Sequence, residues 1–254
     1  MNFDVKGIVL KKIDYSDNQK YLDILTFKNG ILNVKLRIYG QVTKNIFSNI
    51  CVSGYYYFNL YSGRYGIVVD YVEEIEQFFK IRFNPLKFAL SQYFCELCYV
   101  LTLPLKDSAK SLSLILNSIW LLQNEKFSCE FLKCVFELKL LSLSGYMLNL
   151  VGCRFCCCYE KKTMFFSLYG GFLICEDCLK KRIVNEKLVK LTKAVLYAMR
   201  FIIYKEDKKI FNFSLDKAQL KFLSKLVEKI TLIVVEKELN THKIYKELFK
   251  EFEI

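Results

Sequence analysis

Four cysteines are the residues of this sequence whose types and spacing predict the most specific chemistry. Cys153 and Cys156 form one Cys-x-x-Cys pair, Cys175 and Cys178 form a second, and 18 residues lie between the pairs. Two such pairs at this separation are the usual ligand set of a tetrahedral zinc site, because each tight turn presents two thiolates to one ion. Four thiolates would close the coordination shell. The sequence therefore predicts one structural Zn²⁺, and not a catalytic one.

The other seven cysteines give no second ligand set. Cys157 and Cys158 directly follow Cys156, so either of them is an alternative ligand, although packing or exposed thiols are the preferred interpretation. Cys95 and Cys98 form another Cys-x-x-Cys pair, but it lies inside a helical pattern and has no matching second pair. Core packing is therefore preferred there over a thiol redox site, which would need a helix N-terminus. The same core interpretation applies to Cys51, Cys129 and Cys134.

Catalytic motifs are missing from the sequence. The single histidine, His242, excludes every site that needs two, such as the HExxH zinc helix. The chain also has no P-loop, no GxGxxG motif and no GxSxG motif. We therefore predict no catalytic residue and a protein that is not an enzyme. Thiol redox activity, at Cys95 and Cys98 or within 156–158, is the competing hypothesis.

The elements that must position the cysteines fall into two classes along the chain. Residues 1–80 alternate apolar and polar side chains with the period of a β-strand, clearest in 31–39, and Asn29-Gly30 is a hairpin signal. Five or so short strands in this length fit a small barrel. Asn84-Pro85 then begins a run of helical patterns, at about 86–103, 108–122, 128–144, 187–204, 215–239 and 243–252.

These patterns predict an α+β multidomain protein. Its N-terminal β-barrel domain would cover 1–80, and an α-helical domain would cover 81–254. The four-cysteine zinc module, at about 151–182, is embedded in the helical domain. The uncharged stretches 111–124 and 140–153 are too short to cross a bilayer. We read no secretory signal after Met1, so we expect a cytoplasmic protein whose cysteines are reduced or metal-bound.

The positive charge is concentrated at two places. The formal net charge is +12; residues 1–69 carry +5, and residues 161–193 also carry +5. A small barrel with basic residues among many aromatic ones is typical of single-strand nucleic-acid binding, because Lys and Arg follow the phosphates while rings stack on bases. The alternative is a core of aromatic residues with solvated lysines. The basic run 180–182 either extends the DNA surface or begins a solvated helix. The candidate nucleic-acid-binding residues are Lys11, Lys12, Lys35, Arg37, Lys44 and Arg64.

Seven short segments follow one another in a specific order through nearly the whole chain. They are GIVL at 7–10, DYSD at 14–17, LDILT at 22–26, FELKLL at 136–141, SGY at 144–146, GGFLICEDC at 170–178 and ELNTHKI at 238–244. This order resembles that of the bacterial recombination mediator family RecO. One departure is the basic run after the third strand, which is KLRIYG at 35–40, followed by a stretch reduced to Lys44.

The resemblance implies an N-terminal OB-fold, a helical domain with zinc, and a non-enzymatic role in recombinational DNA repair. Proteins of this family bind single- and double-stranded DNA and anneal complementary strands at the nucleoid. They partner with RecR and help load RecA onto DNA that is covered by single-strand-binding protein (SSB). They also bind the acidic, apolar C-terminal tail of SSB. A zinc-ribbon transcription or assembly factor is the alternative function, which shares the cysteine set but does not account for the barrel.

Overall fold

The computed structural model confirms the predicted α+β class. A closed five-stranded barrel comes first, helices follow, and a small second sheet carries the clustered cysteines. Within the residues that the structure describes, no helix is both long enough and apolar enough to span a membrane. The described residues are 1–16, 19–37, 47, 49–102, 108–182, 184–205 and 209–252.

The barrel closes in the order β1-β2-β3-β5-β4, as in an OB-fold. Its neighbouring strands are antiparallel except β3 and β5, which run parallel and close the cylinder. Strand β3 shows how alternating side chains build the barrel wall. Leu32, Val34 and Leu36 face the core, and Asn33 and Arg37 face solvent. The strands are β1 (Asn2–Ser16), β2 (Gln19–Thr26), β3 (Ile31–Arg37), β4 (Tyr55–Gly63) and β5 (Gly66–Glu76).

The first three helices after the barrel each begin within one residue of the position that the sequence predicts. Asn84 caps the first one, because its side-chain oxygen accepts a hydrogen bond from the Lys87 backbone N–H at 3.1 Å, and Pro85 occupies the first helical position. A short 3₁₀ turn at Phe79–Phe83 precedes this cap. The first three helices are α1 (Pro85–Leu101), α2 (Ala109–Gln123) and α3 (Cys129–Leu143).

After α3 a four-stranded sheet forms in the order β6-β8-β7-β9. Residues 188–191, which the sequence assigns to a helix at 187–204, form strand β9 against β7, and Thr192 caps the helix after it. The remaining elements are β6 (Asn149–Cys153), β7 (Met164–Ser167), β8 (Phe172–Cys175), α4 (Glu176–Lys180), β9 (Leu188–Leu191), α5 (Lys193–Tyr204), α6 (Lys217–Val235) and α7 (Asn240–Phe252).

Packing divides the chain into two compact units. One unit contains Met1–Cys129 together with Glu238–Ile254. Within it α1 and α2 pack on the barrel, and α7 lies on α1. The other unit is Glu130–Lys237 and contains the cysteine-bearing sheet. The barrel strands end at Glu76, and the border between the two compact units lies near Cys129. Residue 80, the border expected from the sequence, lies in the 3₁₀ turn.

A buried ion cluster organises the helices of the second unit. The Lys133 ammonium on α3 lies 2.9 Å from Glu137 and 3.1 Å from Glu228 on α6. Burial alone would lower the pKa of Lys133, but the two carboxylates outweigh it and hold that pKa above its ordinary value. The cluster therefore fixes α3 against α6 through charges that are shielded from water.

Candidate metal centre and nucleic-acid interface

The four predicted ligand cysteines meet in the structure. The Sγ atoms of Cys153, Cys156, Cys175 and Cys178 all lie within 4.8 Å of one another, and those of Cys156 and Cys175 are 3.6 Å apart. Sulfurs bound tetrahedrally at about 2.3 Å from one ion would be about 3.8 Å apart. The donor set and its spacing therefore fit a four-thiolate metal site, and this arrangement could hold one ion.

Two neighbouring strands and two turns bring these thiols together. Cys153 ends β6 and Cys175 ends β8, which is paired parallel to β6. The first turn is closed by backbone hydrogen bonds, in which Cys153 N–H donates to the Cys158 carbonyl and Cys157 N–H donates to the Cys153 carbonyl, both at 2.9 Å. Cys178 follows on α4, one turn after Cys175.

The thiols of the cluster have pKa values that are shifted in opposite directions. A backbone N–H of Cys158 directed at the Cys156 sulfur lowers the pKa of that thiol to about 6. Desolvation and the neighbouring thiols raise the pKa of Cys178 to about 12. Thiolates so close together repel one another, so the ionisation of one cysteine disfavours the ionisation of its neighbours. A divalent cation removes that repulsion and favours the fully deprotonated set.

Cys157 and Cys158 lie outside the group of four sulfurs that the described residues bring within 4.8 Å. Cys157 is exposed, and its φ of 57° places it in the left-handed region that shapes the turn. Cys158 is half-buried, and its burial, together with the neighbouring Cys156 and Cys175, raises its pKa to about 12. Cys158 therefore lies beside the cluster as a fifth thiol.

Arg200 supports the site from α5, a role that sequence reasoning missed. Its Nε donates to the Leu150 carbonyl at 2.7 Å, and its Nη2 donates to the carbonyls of Val151 and Tyr159 at 3.2 and 2.6 Å. These bonds hold β6 and the segment after the first cysteine turn to α5. An arginine inside an apolar helical pattern, in YAMRFII at 197–203, was the available signal, because buried charges need partners.

Two more arginines of the module lie on aromatic rings. The guanidinium of Arg154 is 4.3 Å from the ring centre of Phe172, and that of Arg182 is 4.4 Å from Phe155. Lys180 forms an ion pair with Glu176 at 2.8 Å. Two of the three residues in the basic run 180–182 thus contact the module itself.

On the barrel, a cavity of about 560 Å³ brings two predicted DNA-binding residues together. Arg37 at the end of β3 and Arg64 in the β4–β5 turn both line it. Tyr61 and Tyr65 also line the cavity, and their side chains are 50% and 87% exposed. The cavity therefore combines two guanidinium groups with two accessible rings. Its full lining is Arg37, Phe47, Tyr61, Gly63, Arg64, Tyr65, Gly66, Val68, Val69 and Asp70.

The other predicted DNA-binding residues have different surroundings. The Lys35 ammonium lies 5.7 Å from the Tyr21 ring centre, and the exposed Lys11 lies 5.2 Å from that of Tyr99. Lys12 donates to the carbonyls of Phe47 and Ile50 at 3.3 and 2.7 Å, and burial lowers its pKa. Its ammonium thus contacts the barrel's own backbone. Lys44 lies outside the described residues.

Comparison with known proteins gives one consistent result. The family model named Recombination protein O C terminal matches residues 82–243. The DNA repair protein RecO of Clostridium acetobutylicum is 30% identical over 190 residues, which cover 70% of this chain and 72% of that protein. The RecO protein of Acetivibrio thermocellus is 23% identical over 231 residues, or 90% of each chain. With a family match over more than half of its length, the chain belongs to the RecO family.

Proposed function

We propose that this protein is a recombinational DNA repair mediator that binds single- and double-stranded DNA and promotes strand annealing. In this role it helps load RecA, together with RecR, onto DNA that SSB covers. It binds the C-terminal tail of SSB and contacts RecA only indirectly. It acts by holding DNA and partner proteins, without catalysis, and it works in the cytoplasm at the nucleoid.

The observation that carries the DNA-binding part of the proposal is the barrel cavity. Arg37 and Arg64 supply positive charge for phosphates, and the exposed rings of Tyr61 and Tyr65 offer stacking surfaces for bases. Arginine with accessible aromatic rings is the combination that single-strand-binding barrels use, and each stacked base contributes about 1–3 kcal/mol. A volume of about 560 Å³ suits one nucleotide unit of a strand.

The metal of the cysteine cluster is, in this proposal, one structural Zn²⁺. Four thiolates with no histidine or carboxylate among them favour a soft or borderline cation and leave no open position for a substrate. When bound, the ion would tie the ends of β6 and β8 to α4. Its contribution is to folding, because the ligands are brought together only in the folded chain.

An annealing assay with a matched pair of variants tests the proposal. Arg37→Gln/Arg64→Gln removes both cavity guanidinium groups, and Lys80→Gln/Lys110→Gln removes two exposed charges outside the barrel strands. We expect the arginine variant to anneal complementary strands at least about tenfold more slowly, since losing two charge contacts of about 0.7 kcal/mol each amounts to one factor of ten. Annealing that is equal in both variants, or absent from the wild type, contradicts the proposal.

Capture from a cell extract tests the partner part of the proposal. Immobilised wild-type protein should retain RecR and SSB, and SSB that lacks its C-terminal tail should not be retained. Retention of RNA polymerase with neither RecR nor SSB would instead support the transcription-factor alternative.

A further inference from the structure

We infer that Cys156 and Cys158 form a disulfide when a peroxide oxidises the protein, with Cys158 as the resolving thiol. Cys158 is the fifth thiol beside the cysteine cluster, and the proposed function makes no use of it. The inference goes beyond that function, because it concerns a stoichiometric modification of the chain and involves neither DNA binding nor enzymatic turnover.

The Cys158 thiol contacts the cluster without belonging to it. It forms hydrogen bonds with the sulfurs of Cys156 and Cys175, and it lies outside the group of four sulfurs that are within 4.8 Å of one another. The same turn holds its backbone, because the Cys158 carbonyl accepts a hydrogen bond from the Cys153 N–H at 2.9 Å. A thiol with no place in the ligand set is therefore fixed next to two of the ligands.

Exposure selects the sulfur that a peroxide reaches first. Among the four ligands, Cys156 is exposed, Cys178 is half-buried, and Cys153 and Cys175 are buried. The thiolate is the form of cysteine that attacks a peroxide, and a cysteine that coordinates a metal is deprotonated. Cys156 is therefore the ligand that becomes oxidised.

The reaction needs one peroxide and two cysteines. The Cys156 thiolate attacks one peroxide oxygen, the O–O bond breaks, hydroxide leaves, and the cysteine becomes a sulfenic acid. The Cys158 sulfur then attacks the Cys156 sulfur. An S–S bond forms, the S–O bond breaks, and the leaving hydroxyl takes the Cys158 proton and departs as water. The two sulfurs lose two electrons and the peroxide gains them, so no further reactant is required.

Position favours Cys158 over Cys175 as the partner of oxidised Cys156. The Cys175 sulfur is 3.6 Å from that of Cys156, but it is buried, and in the proposed site it remains a ligand of the ion. Residues 156 and 158 are separated by at most about 7 Å of extended chain. The turn at Cys157, with a φ of 57°, shortens this span. Disulfides need Cα atoms about 4.4–6.8 Å apart, so the bridge requires little backbone movement.

The bridge removes one ligand from the cluster. Three thiolates then remain for the ion, so metal affinity falls and the connection between the ends of β6 and β8 and α4 loosens. A dithiol reductant restores the Cys156 thiolate. A sulfenic acid that meets no thiol instead proceeds to a sulfinic acid, which such a reductant does not reverse. Cys158 thus makes the oxidation of the site reversible.

The test compares Cys158→Ser with the control Cys157→Ser, which makes the same change one position earlier, at an exposed cysteine outside the cluster. Full-length reduced protein is treated with hydrogen peroxide while a chromogenic chelator reports metal release. Mass spectrometry of tryptic peptides maps disulfides, and dimedone traps sulfenic acid. In the control, the peptide that covers 155–161 contains only Cys156 and Cys158, so its bridge is assigned without ambiguity.

We expect wild type and control to form the bridge between Cys156 and Cys158, to release the ion, and to rebind it after reduction. Cys158→Ser should form no bridge at Cys156, carry the dimedone adduct there, and fail to rebind the ion after reduction. A bridge between Cys156 and Cys175 in the wild type overturns the inference. So does a wild type whose cysteines all stay reduced, or a Cys158→Ser variant with the products and recovery of the control. Since none of these readouts uses DNA, a failed annealing assay refutes the proposed function and leaves this result unaffected.

Discussion

Single residues around the first cysteine turn determine whether the four thiols can meet. A Cβ at Gly152 would lie 2.9 Å from the carbonyl oxygens of both Cys157 and Cys158, so only glycine fits beside the closed turn. The spacing of the cysteines predicted their meeting because two Cys-x-x-Cys pairs at this separation are a recognised metal-ligand set. The part played by Arg200 was not predictable in this way, since its acceptors at 150, 151 and 159 lie more than 40 residues away.

Replacing one buried ligand should remove the metal. We expect Cys175→Ser to lower the metal content, measured by elemental analysis of reduced protein, from one ion per chain to near zero. Solubility and the melting temperature should fall with it, because ligand loss removes folding free energy. Cys157→Ser, at an exposed cysteine outside the cluster, is the control and should keep one ion. Metal-free wild-type protein would refute the site.

At the scale of elements, the sequence predicted the strands, turns and helix caps that depend on residues close together in the chain. The barrel strands, the Asn29-Gly30 hairpin between β2 and β3, and the Asn84 cap are all confirmed, because each depends on residues close in sequence. Strand β9 was wrongly assigned to a helix. Its four residues, Leu188–Leu191, gain their hydrogen bonds from β7, more than 20 residues earlier, which a local pattern does not reveal.

The α3–α6 connection can be tested through Lys133. Lys133→Met leaves Glu137 and Glu228 without this ammonium, and we expect it to lower the free energy of unfolding by about 3 kcal/mol. Because the folded-state pKa of Lys133 is raised, its stabilisation is complete below pH 10.5 and is lost as the pH rises through the folded-state value. Denaturant titrations should therefore show the gap between wild type and variant closing above pH 10.5. A gap that is constant with pH would contradict the ion-cluster account.

At the scale of the whole molecule, the charge distribution could be predicted from the sequence, but the long-range pairing of strands and helices could not. The +5 of residues 1–69 was visible by counting, and the cavity shows that two of those charges, Arg37 and Arg64, converge. Two features depend on contacts between residues far apart in sequence, so no local pattern predicts them. They are the parallel pairing of β3 with β5 and the packing of α7 on α1.

The salt dependence of single-stranded DNA affinity tests the central claim, that the barrel binds DNA through its phosphates. Fluorescence anisotropy would measure the dissociation constant of wild type and of Arg37→Gln/Arg64→Gln across a series of salt concentrations. The logarithm of affinity should fall linearly with the logarithm of salt concentration, and the variant's slope should be shallower by about 1.4, or about 0.7 for each lost contact. An affinity that does not change with salt, or equal slopes for the two proteins, would contradict the account.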